Sequence, residues 1–304
     1  MKIIIGAGTG LIGQALSASL VSDGHTVVVL SRDPQKYTGR IPEGVQLIAW
    51  DGVSQGAWSS HVDGADVVLN LAGENLSAGR WTAERKHRIL ESRTKPGQAL
   101  TVAIRQAAEK PKTFVQTSAV GYYGITGDEI ITEESPPGTD FLAEVTQAWE
   151  NSSFGVEALG VRRVIVRTGV VLSADGGVLS RLLMPFKFYA GGRIGSGKQW
   201  FPWIHIADEI AAIRFLIDQP KARGVYNLSA PNPVTNQQLA SALGKTLGRP
   251  AILPAPAFAI KILFGEMSII VLEGQREIPK KLMEAGYQFK YETIDAALSD
   301  LLKK

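Results

Sequence analysis

The sequence predicts an α/β protein built on a doubly wound parallel sheet, with a smaller, mainly helical lobe at its C-terminal end. Short segments rich in Val and Ile alternate with segments of helical period through the first half of the chain. This alternation is typical of βαβ units, in which helices cover both faces of a parallel sheet. A glycine-rich turn after the first strand and a change of pattern after Gly169 support the same architecture.

The first strand leads into the glycine-rich turn. Residues 2–5 are mostly apolar, glycine occupies positions 6, 8, 10 and 13, and a helical pattern starts at Leu11. A backbone without Cβ atoms can approach phosphates closely, and the free N–H groups of a helix N-terminus attract anions. The arrangement predicts a Rossmann-type dinucleotide site, and the alternative is a tight turn that binds no ligand. The predicted cofactor contacts here are Gly6, Gly8, Thr9, Gly10, Leu11, Ile12 and Gly13.

The other strands of the first half are short and rich in β-branched residues. They are predicted at residues 26–30, 45–49, 66–71, 113–117 and 161–167. Residues 82–109 have a helical pattern, and we expect Pro96 to bend or break that helix because proline lacks the N–H donor.

The second half predicts a helix over 178–189, a glycine-rich loop over 191–197, a strand followed by a helix over 203–216, and a strand over 225–228. Helices separated by proline-rich turns follow from Ala230 onward. We therefore predict a Rossmann domain over residues 1–169, completed by about 203–229. Residues 170–202 and 230–304 form a substrate-side lobe over the carboxyl edge of the sheet, where such folds bind ligands.

Composition excludes several kinds of site. The chain of 304 residues has no cysteine, which rules out disulfides, thiolate zinc sites and cysteine nucleophiles. Its four histidines are scattered without metal-ligand spacing, so no metal site is expected. The net charge of +3 is spread along the chain, which does not indicate nucleic-acid binding but suits an anionic cofactor.

The N-terminus and the hydropathy pattern bear on the location of the protein. The N-terminal residues lack the pattern of a signal peptide, and the sequence has no apolar run of about 18 residues that could span a membrane. We expect a cytoplasmic location, or an organelle after removal of a transit peptide.

The end of the second strand indicates which nicotinamide cofactor is preferred. NAD sites usually place an acidic residue there for the ribose 2′-hydroxyl, whereas this chain has Ser31 and Arg32. A hydroxyl and a guanidinium suit the 2′-phosphate of NADP(H), because arginine can bind phosphate in a bidentate manner. Asp33 precedes Pro34 and is interpreted as a helix N-cap. The alternative is that Arg32 is an ordinary surface arginine.

Several motifs resemble a known family. Residues 8–13 resemble the extended and atypical short-chain dehydrogenase/reductase superfamily. The more specific motifs are residues 70–74 with 79–81, 118–124, 140–143, 195–205 and 274–276. Together they resemble, over the full chain, the proteins called epimerase family proteins or nucleoside-diphosphate sugar epimerase-like proteins. Cyanobacterial and plastid members are often described as cell-division inhibitors.

The resemblance implies roles for further residues. It places Asn70, Leu71, Ala72 and Gly73 beside the cofactor, with a tight strand exit as the alternative. It places Arg167 near the nicotinamide. Ser118 follows the fifth strand, where the superfamily has its catalytic serine, and the alternative is a cap or turn serine.

The superfamily's usual proton donor is missing from this sequence. The resemblance leads to the expectation of a Tyr-x-x-x-Lys pair on the helix that starts near Asp140, but the corresponding residues are Leu142 and Thr146, or Phe141 and Val145. None of these can transfer a proton in its place. The nearest substitutes are Tyr122 and Tyr123, with aromatic packing in a glycine-rich loop as the alternative.

An aromatic segment replaces a feature of nucleotide-sugar enzymes. In the superfamily pattern an arginine that commonly binds the sugar diphosphate stands where this chain has Phe201, between Trp200 and Trp203. This difference argues against a nucleotide sugar and favours an apolar or flat ligand, unless these aromatic residues form the core between the lobes. The predicted substrate-cleft residues are Glu74, Arg80, Lys198 and Trp200.

These observations predict an NADP-dependent oxidoreductase or epimerase-like enzyme that acts on an unidentified small molecule. In this interpretation Ser118, Tyr122 and Tyr123 are the candidate catalytic residues. The alternative is a catalytically weak NADP(H)-binding regulatory protein, such as a cell-division factor, with a protein partner. The resemblance also makes a homodimer one expectation, because the superfamily often pairs helices into dimers.

Overall fold

The computed structural model describes residues 1–303 and contains an α/β domain with a second lobe. The strands are β1 (Lys2–Gly6), β2 (Thr26–Ser31), β3 (Val45–Ala49), β4 (Val67–Asn70), β5 (Thr113–Ala119), β6 (Ile130–Ile131), β7 (Arg162–Thr168), β8 (Val170–Ser173), β9 (Gly176–Gly177), β10 (Trp200–Phe201), β11 (Trp203–His205), β12 (Gly224–Leu228), β13 (Val234–Thr235) and β14 (Arg276–Glu277).

The helices alternate with the strands of the first domain and dominate the second lobe. They are α1 (Leu11–Ser22), α2 (Pro34–Tyr37), α3 (Ala83–Gln106), α4 (Phe141–Asn151), α5 (Val178–Lys187), α6 (Ile206–Asp218), α7 (Asn236–Leu247), α8 (Ala257–Phe264), α9 (Ile269–Leu272), α10 (Lys280–Glu284) and α11 (Ile294–Leu302). In residues 1–303, no helix combines the length and the apolar character needed to cross a bilayer.

Seven parallel strands form the main sheet in the order β12-β7-β5-β4-β1-β2-β3. The chain moves outward from β1 to β3 and then returns to the other side of β1 with β4. Ligands of doubly wound sheets bind at this change of direction, outside the carboxyl ends of the strands. The last residues of β1 and β4, Gly6 and Asn70, are paired there. The predicted fold class, a doubly wound parallel sheet with a mainly helical lobe, is confirmed.

Alternating side chains of the strands build two cores, one on each face of the sheet. Ile3 and Ile5 of β1 pack in one core, together with residues of α1 and α6. Ile4 packs in the other core with Trp50 and with residues of α3. Because successive strand residues point to opposite faces, a strand that is apolar at every position must be covered on both sides. The run of isoleucines in β1 therefore explains why helices flank the sheet on both faces.

Helix α3 continues through Pro96, so the prediction that Pro96 breaks this helix is wrong. The residues around the proline are held by packing, since Arg93, Gly97 and Leu100 are buried. In a packed helix, neighbouring contacts offset the missing hydrogen bond of one proline. The bend that was the other expectation for Pro96 stays a prediction.

The second lobe packs around its own core. Trp203 is fully buried there with residues of α5, α7 and α11. Strand β11 pairs with β8 in a small separate sheet, while β12 joins the main sheet beside β7. His205 caps α6 by accepting a hydrogen bond from the N–H of Ala207, 3.0 Å from its Nδ1. This contact agrees with the interpretation of His205 as a structural hydrogen-bonding residue.

Candidate functional site

The glycine-rich turn packs tightly against α1 but is open on its outer side. A Cβ atom at Gly13 would clash with the backbone of Gly8, so only glycine lets the helix approach the turn this closely. A Cβ atom at Gly10 would meet no atom within 4 Å. Helix α1 has no side-chain cap and no acidic residue in its first turn. Its first N–H groups are therefore available to an anion, and the geometry fits the pyrophosphate of a dinucleotide.

The end of β2 presents a cation without a competing carboxylate. Arg32 is exposed, whereas Ser31 is buried and its Oγ accepts a hydrogen bond from the N–H of Asp33. Asp33 in turn caps α2, because its carboxylate accepts the N–H of Lys36 at 3.2 Å, and Pro34 is the first residue of that helix. The predicted N-cap is confirmed. The acidic group next to Arg32 is thereby held by the helix end.

The segment after β4 is fixed beside the glycine-rich turn. The N–H of Leu71 donates to the carbonyl of Gly6 at 3.0 Å. Asn70 is buried, with its Nδ2 donating to Gln116 Oε1 at 3.2 Å and its Oδ1 accepting the N–H of Ala72. The side chain of Asn70 therefore shapes the segment. Cofactor contacts of Asn70, Leu71, Ala72 and Gly73 stay a prediction that this position beside the turn favours.

A cleft of about 190 Å³ lies between the carboxyl edge of the sheet and the second lobe. Its walls are mostly apolar and include Ala119, Val120, Leu142, Val145, Thr146, Trp149, Thr168, Val170, Trp200, Phe201, Ile269 and Ile270. Two of the charged residues that line it have structural partners. Arg93 donates to the carbonyl oxygens of Ile89 and Glu74, and Asp140 caps α4. Glu273, which is exposed, is the third charged residue of the lining.

Leu142 and Thr146 both line the cleft at the start of α4. They lie four residues apart and so share one helix face. Of the two alternatives for the position of the missing Tyr/Lys pair, this is the one whose members both line the cleft. The hydroxyl of Thr146 donates to the carbonyl oxygens of Leu142 and Ala143. Neither side chain offers a titratable proton to a ligand.

Ser118 is buried and its hydroxyl is engaged within the protein. Its Oγ donates to Glu150 Oε1 at 2.7 Å, and the side chain is absent from the cleft lining, where its neighbour Ala119 is found. Adjacent residues of strand β5 point to opposite faces of the sheet, which explains why Ala119 lines the cleft and Ser118 does not. The structure thus gives Ser118 a structural hydrogen bond, and its catalytic role stays a prediction.

Arg167 lies at the centre of the same buried network. Its Nε and Nη2 form a bidentate pair with Glu150 at 2.8 and 2.9 Å. Its Nη1 donates to Tyr123 Oη, which donates to Asn227 Oδ1 at 2.6 Å. The Tyr122 ring stacks on the guanidinium, with 3.2 Å between the ring centre and Cζ. Burial raises the pKa of the Tyr123 hydroxyl, so this tyrosine holds its proton tightly. The roles predicted for Tyr122, Tyr123 and Arg167 stay predictions.

The four predicted substrate-cleft residues have different positions. Trp200 lines the cleft, and its Nε1 donates to Asp128 at 2.9 Å. The other three lie outside this cleft, and their contact with a substrate stays a prediction. Glu74 pairs with Arg85 at 2.5 Å, Arg80 donates to backbone carbonyls of α8, and Lys198 lines a separate open groove beside α7. Burying a charge without a partner is costly, so these charged side chains lie beside partners or in solvent, whereas the aromatic side chain of Trp200 lies in the apolar cleft. Trp203 is also absent from the cleft, because it belongs to the core of the second lobe.

Two fully buried acids close to the cleft were not anticipated. Glu209 accepts a hydrogen bond from the hydroxyl of Thr168, which lines the cleft, at 2.9 Å. Glu277 is buried two residues beyond Gln275, another lining residue, and neither of its carboxylate oxygens has a hydrogen-bond partner in the described part of the chain. Burial raises the pKa of each to about 8. Helical spacing from Ile206 and Ile213 is the sequence signal that could have placed Glu209 on the core side.

The chain is similar to known proteins over its full length. Residues 3–229 match the NAD dependent epimerase/dehydratase family, and residues 255–301 match a domain of unknown function, DUF1731. Epimerase family protein YfhF of Bacillus subtilis is 38% identical over 303 residues, which cover 99% of this chain and 98% of that protein. Human epimerase family protein SDR39U1 is 36% identical over 306 residues, with 99% and 100% covered.

Solved structures agree with these relationships. The crystal structure of human SDR39U1 (isoform 2) with NADPH has a TM-score of 0.87, with 35% identity and 99% of each chain covered. A UDP-N-acetylglucosamine 4-epimerase from Bacillus cereus has a TM-score of 0.78 at 16% identity, covering 99% of this chain and 98% of its own, and supports the fold alone. The glycine-rich turn, the seven-stranded sheet and these similarities lead to one conclusion: the chain belongs to the NAD dependent epimerase/dehydratase family.

Proposed function

We propose that this protein binds NADPH along the glycine-rich turn and reduces a small, uncharged, largely apolar carbonyl compound in the cleft. The observation that carries the cofactor assignment is the open N-terminus of α1 with the exposed Arg32 at the end of β2. Arg32 would bind the 2′-phosphate, since Asp33 is held by its own helix. The relative of known structure that contains NADPH supports the same choice.

The chemistry of the cleft supports the substrate class. A nucleotide sugar carries a diphosphate, which requires cationic or amide groups directed at it. In this cleft the one arginine, Arg93, is committed to two backbone carbonyls, and its guanidinium lies 5.1 Å from the ring centre of Trp149. The walls are apolar and aromatic, and the volume of about 190 Å³ suits a small molecule.

Reduction of a carbonyl group also requires a proton, for which Glu209 is the best-placed source. A bound nicotinamide supplies the hydride to the carbonyl carbon. Thr168 and Glu209 share one hydrogen bond of 2.9 Å, and when the protonated carboxyl group of Glu209 is its donor, the Thr168 hydroxyl on the cleft wall is free to give its proton to the carbonyl oxygen and to regain one from Glu209. Glu209 is left as a carboxylate and, because it is fully buried, regains its proton from water in the cleft through the Thr168 hydroxyl. With a pKa of about 8, Glu209 carries that proton at neutral pH.

A fluorescence titration with NADPH and NADH tests the cofactor assignment. We expect NADPH to bind more tightly, and Arg32→Ala to weaken NADPH by about 10- to 100-fold, toward the NADH value, because charge-assisted hydrogen bonds to phosphate are lost. Arg105→Ala is the matched control, since Arg105 is also exposed but lies at the end of α3. Equal binding of both cofactors by the unaltered protein would contradict the 2′-phosphate argument.

Turnover of small aldehydes and ketones, followed by loss of NADPH absorbance, tests the chemistry. For any compound that is reduced, we expect Glu209→Gln to lower kcat by about 100-fold or more while the Kd of NADPH is unchanged, because general acid catalysis contributes at that level. Ser118→Ala is measured in parallel. Full activity of Glu209→Gln with loss of activity in Ser118→Ala would instead identify Ser118 as the catalytic group.

A second candidate function is a cofactor-dependent regulatory protein. The observation that favours it is the presence of Leu142 and Thr146 at the position of the superfamily's catalytic pair. Such a protein would bind NADPH as tightly as the enzyme would, but it would reduce none of the carbonyl compounds. Its signature would be a protein partner whose affinity changes when NADPH is added.

A further inference from the structure

We propose that one surface of the second lobe binds to the face of an anionic lipid bilayer. Six large apolar residues, called here the apolar ridge, are each more than half exposed: Phe188, Tyr189, Ile252, Leu253, Phe258 and Ile262. Soluble proteins rarely expose that much contiguous apolar surface without a binding role. The inference is independent of the proposed reaction, because none of the six residues lines the cleft.

The ridge is formed by two chain segments that run side by side and by the helix that follows. The N–H of Leu253 donates to the carbonyl of Gly191 at 3.0 Å, and the N–H of Ala255 donates to the carbonyl of Arg193 at 2.9 Å. The Arg249 guanidinium lies 3.9 Å from the ring centre of Tyr189. These contacts place the residues before Gly191 next to those around Leu253.

Helix α8 begins two residues after Ala255 and extends this surface. None of its residues is buried. Phe258 and Ile262 are four residues apart, so they project from the same face of the helix. An eight-residue helix with an apolar sequence and no buried residue has an unsatisfied apolar face.

The charge of the two chain segments that carry the apolar ridge indicates which kind of surface the ridge could bind. Residues 176–207 and 236–265 contain no Asp or Glu, so all the charged side chains in these two segments are Lys or Arg. The basic residues are Arg181, Lys187, Arg193, Lys198, Lys245, Arg249 and Lys261. Lys245 pairs with Asp295. Without Lys245, the two segments carry a net charge of +6, twice the +3 of the whole chain.

An anionic bilayer satisfies both features better than another protein surface does. A symmetric dimer through this patch would bring like charges together, since an isologous interface places the same residues on both sides. The apolar side chains are each more than half exposed, and a lipid interface accepts exposed side chains without shape complementarity. Lysine and arginine beside them would contact anionic headgroups and strengthen the attachment.

Cosedimentation with vesicles tests this inference on the full-length protein. We expect binding to vesicles of phosphatidylcholine with phosphatidylglycerol, weaker binding to phosphatidylcholine alone, and release by salt. The double variant Phe258→Ser/Ile262→Ser should bind at least about tenfold more weakly, because it removes two large apolar side chains from the lipid contact. The double variant Lys187→Gln/Arg249→Gln should lose most of the preference for anionic lipid.

Phe154→Ser is the matched control, because Phe154 is 62% exposed but lies outside the ridge. Circular dichroism and the NADPH titration confirm that each variant is folded. Absence of binding to anionic vesicles would overturn the inference, as would an equal loss of binding in Phe154→Ser. A concentration-dependent dimer in light scattering that only the Phe258→Ser/Ile262→Ser variant abolishes would assign the ridge to self-association instead.

Discussion

Glu150→Gln is expected to lower the free energy of unfolding by about 3 to 5 kcal/mol, the usual cost of leaving one partner of a buried ion pair without the other. Glu150 forms a bidentate pair with Arg167, and the two side chains are only 9% and 4% exposed. Glutamine preserves the shape of the side chain, so the loss would come from the unbalanced charge of Arg167. Denaturant unfolding followed by tryptophan fluorescence measures the change.

The neighbouring pair of Arg163 and Glu157 provides the control. Glu157 is 44% exposed, and its distance to Arg163 is 2.7 Å, similar to that of the buried pair. Glu157→Gln should change the unfolding free energy by less than about 1 kcal/mol, because solvent screens exposed pairs. Equal effects of Glu150→Gln and Glu157→Gln would show that the buried pair does not stabilise the junction of β5, β7 and α4.

The contacts of Glu150 also show which parts of the structure the sequence could predict. Strand positions and the glycine-rich turn followed from local signals, namely β-branched runs and glycine spacing, because those signals act within a few residues. The partner of Ser118 did not follow, since Glu150 is 32 residues away and reaches it only through the packing of α4 on β5. Period-two alternation shows that adjacent residues face opposite sides, but it does not identify which helix covers each side.

The cleft shows the same limit. Trp200 lines the cleft whereas Trp203 does not, although the two lie only three residues apart in one aromatic segment. Their separation depends on β10 and β11 pairing with different strands, β13 and β8, from distant parts of the chain. Charged side chains are usually exposed to solvent. Glu209 and Glu277 depart from that rule, and only the three-dimensional packing reveals their burial.

The burial of Glu277 leads to a second large expected effect, on the pH dependence of stability. Its pKa is about 8 in the folded protein because of burial, against 4.5 for an ordinary glutamate. Between these two pH values the folded state holds a proton that the unfolded state has lost. The unfolding free energy therefore falls as pH rises through this window, by about 1.4 kcal/mol per pH unit for one such group, or about 3 kcal/mol by pH 7. Glu209 acts in the same direction.

Glu277→Gln removes one of these two titrations, so the unfolding free energy of the variant should fall less steeply between pH 5 and pH 8. The slope is the informative quantity, because a buried amide without partners changes the absolute stability by a pH-independent amount. Glu129→Gln is the control, since Glu129 is exposed and should leave the slope unchanged. If denaturant unfolding across this range gives Glu277→Gln the slope of the unaltered protein, then Glu277 is ionised in the folded state. In that case a positive charge, such as that of Arg167, stabilises the carboxylate.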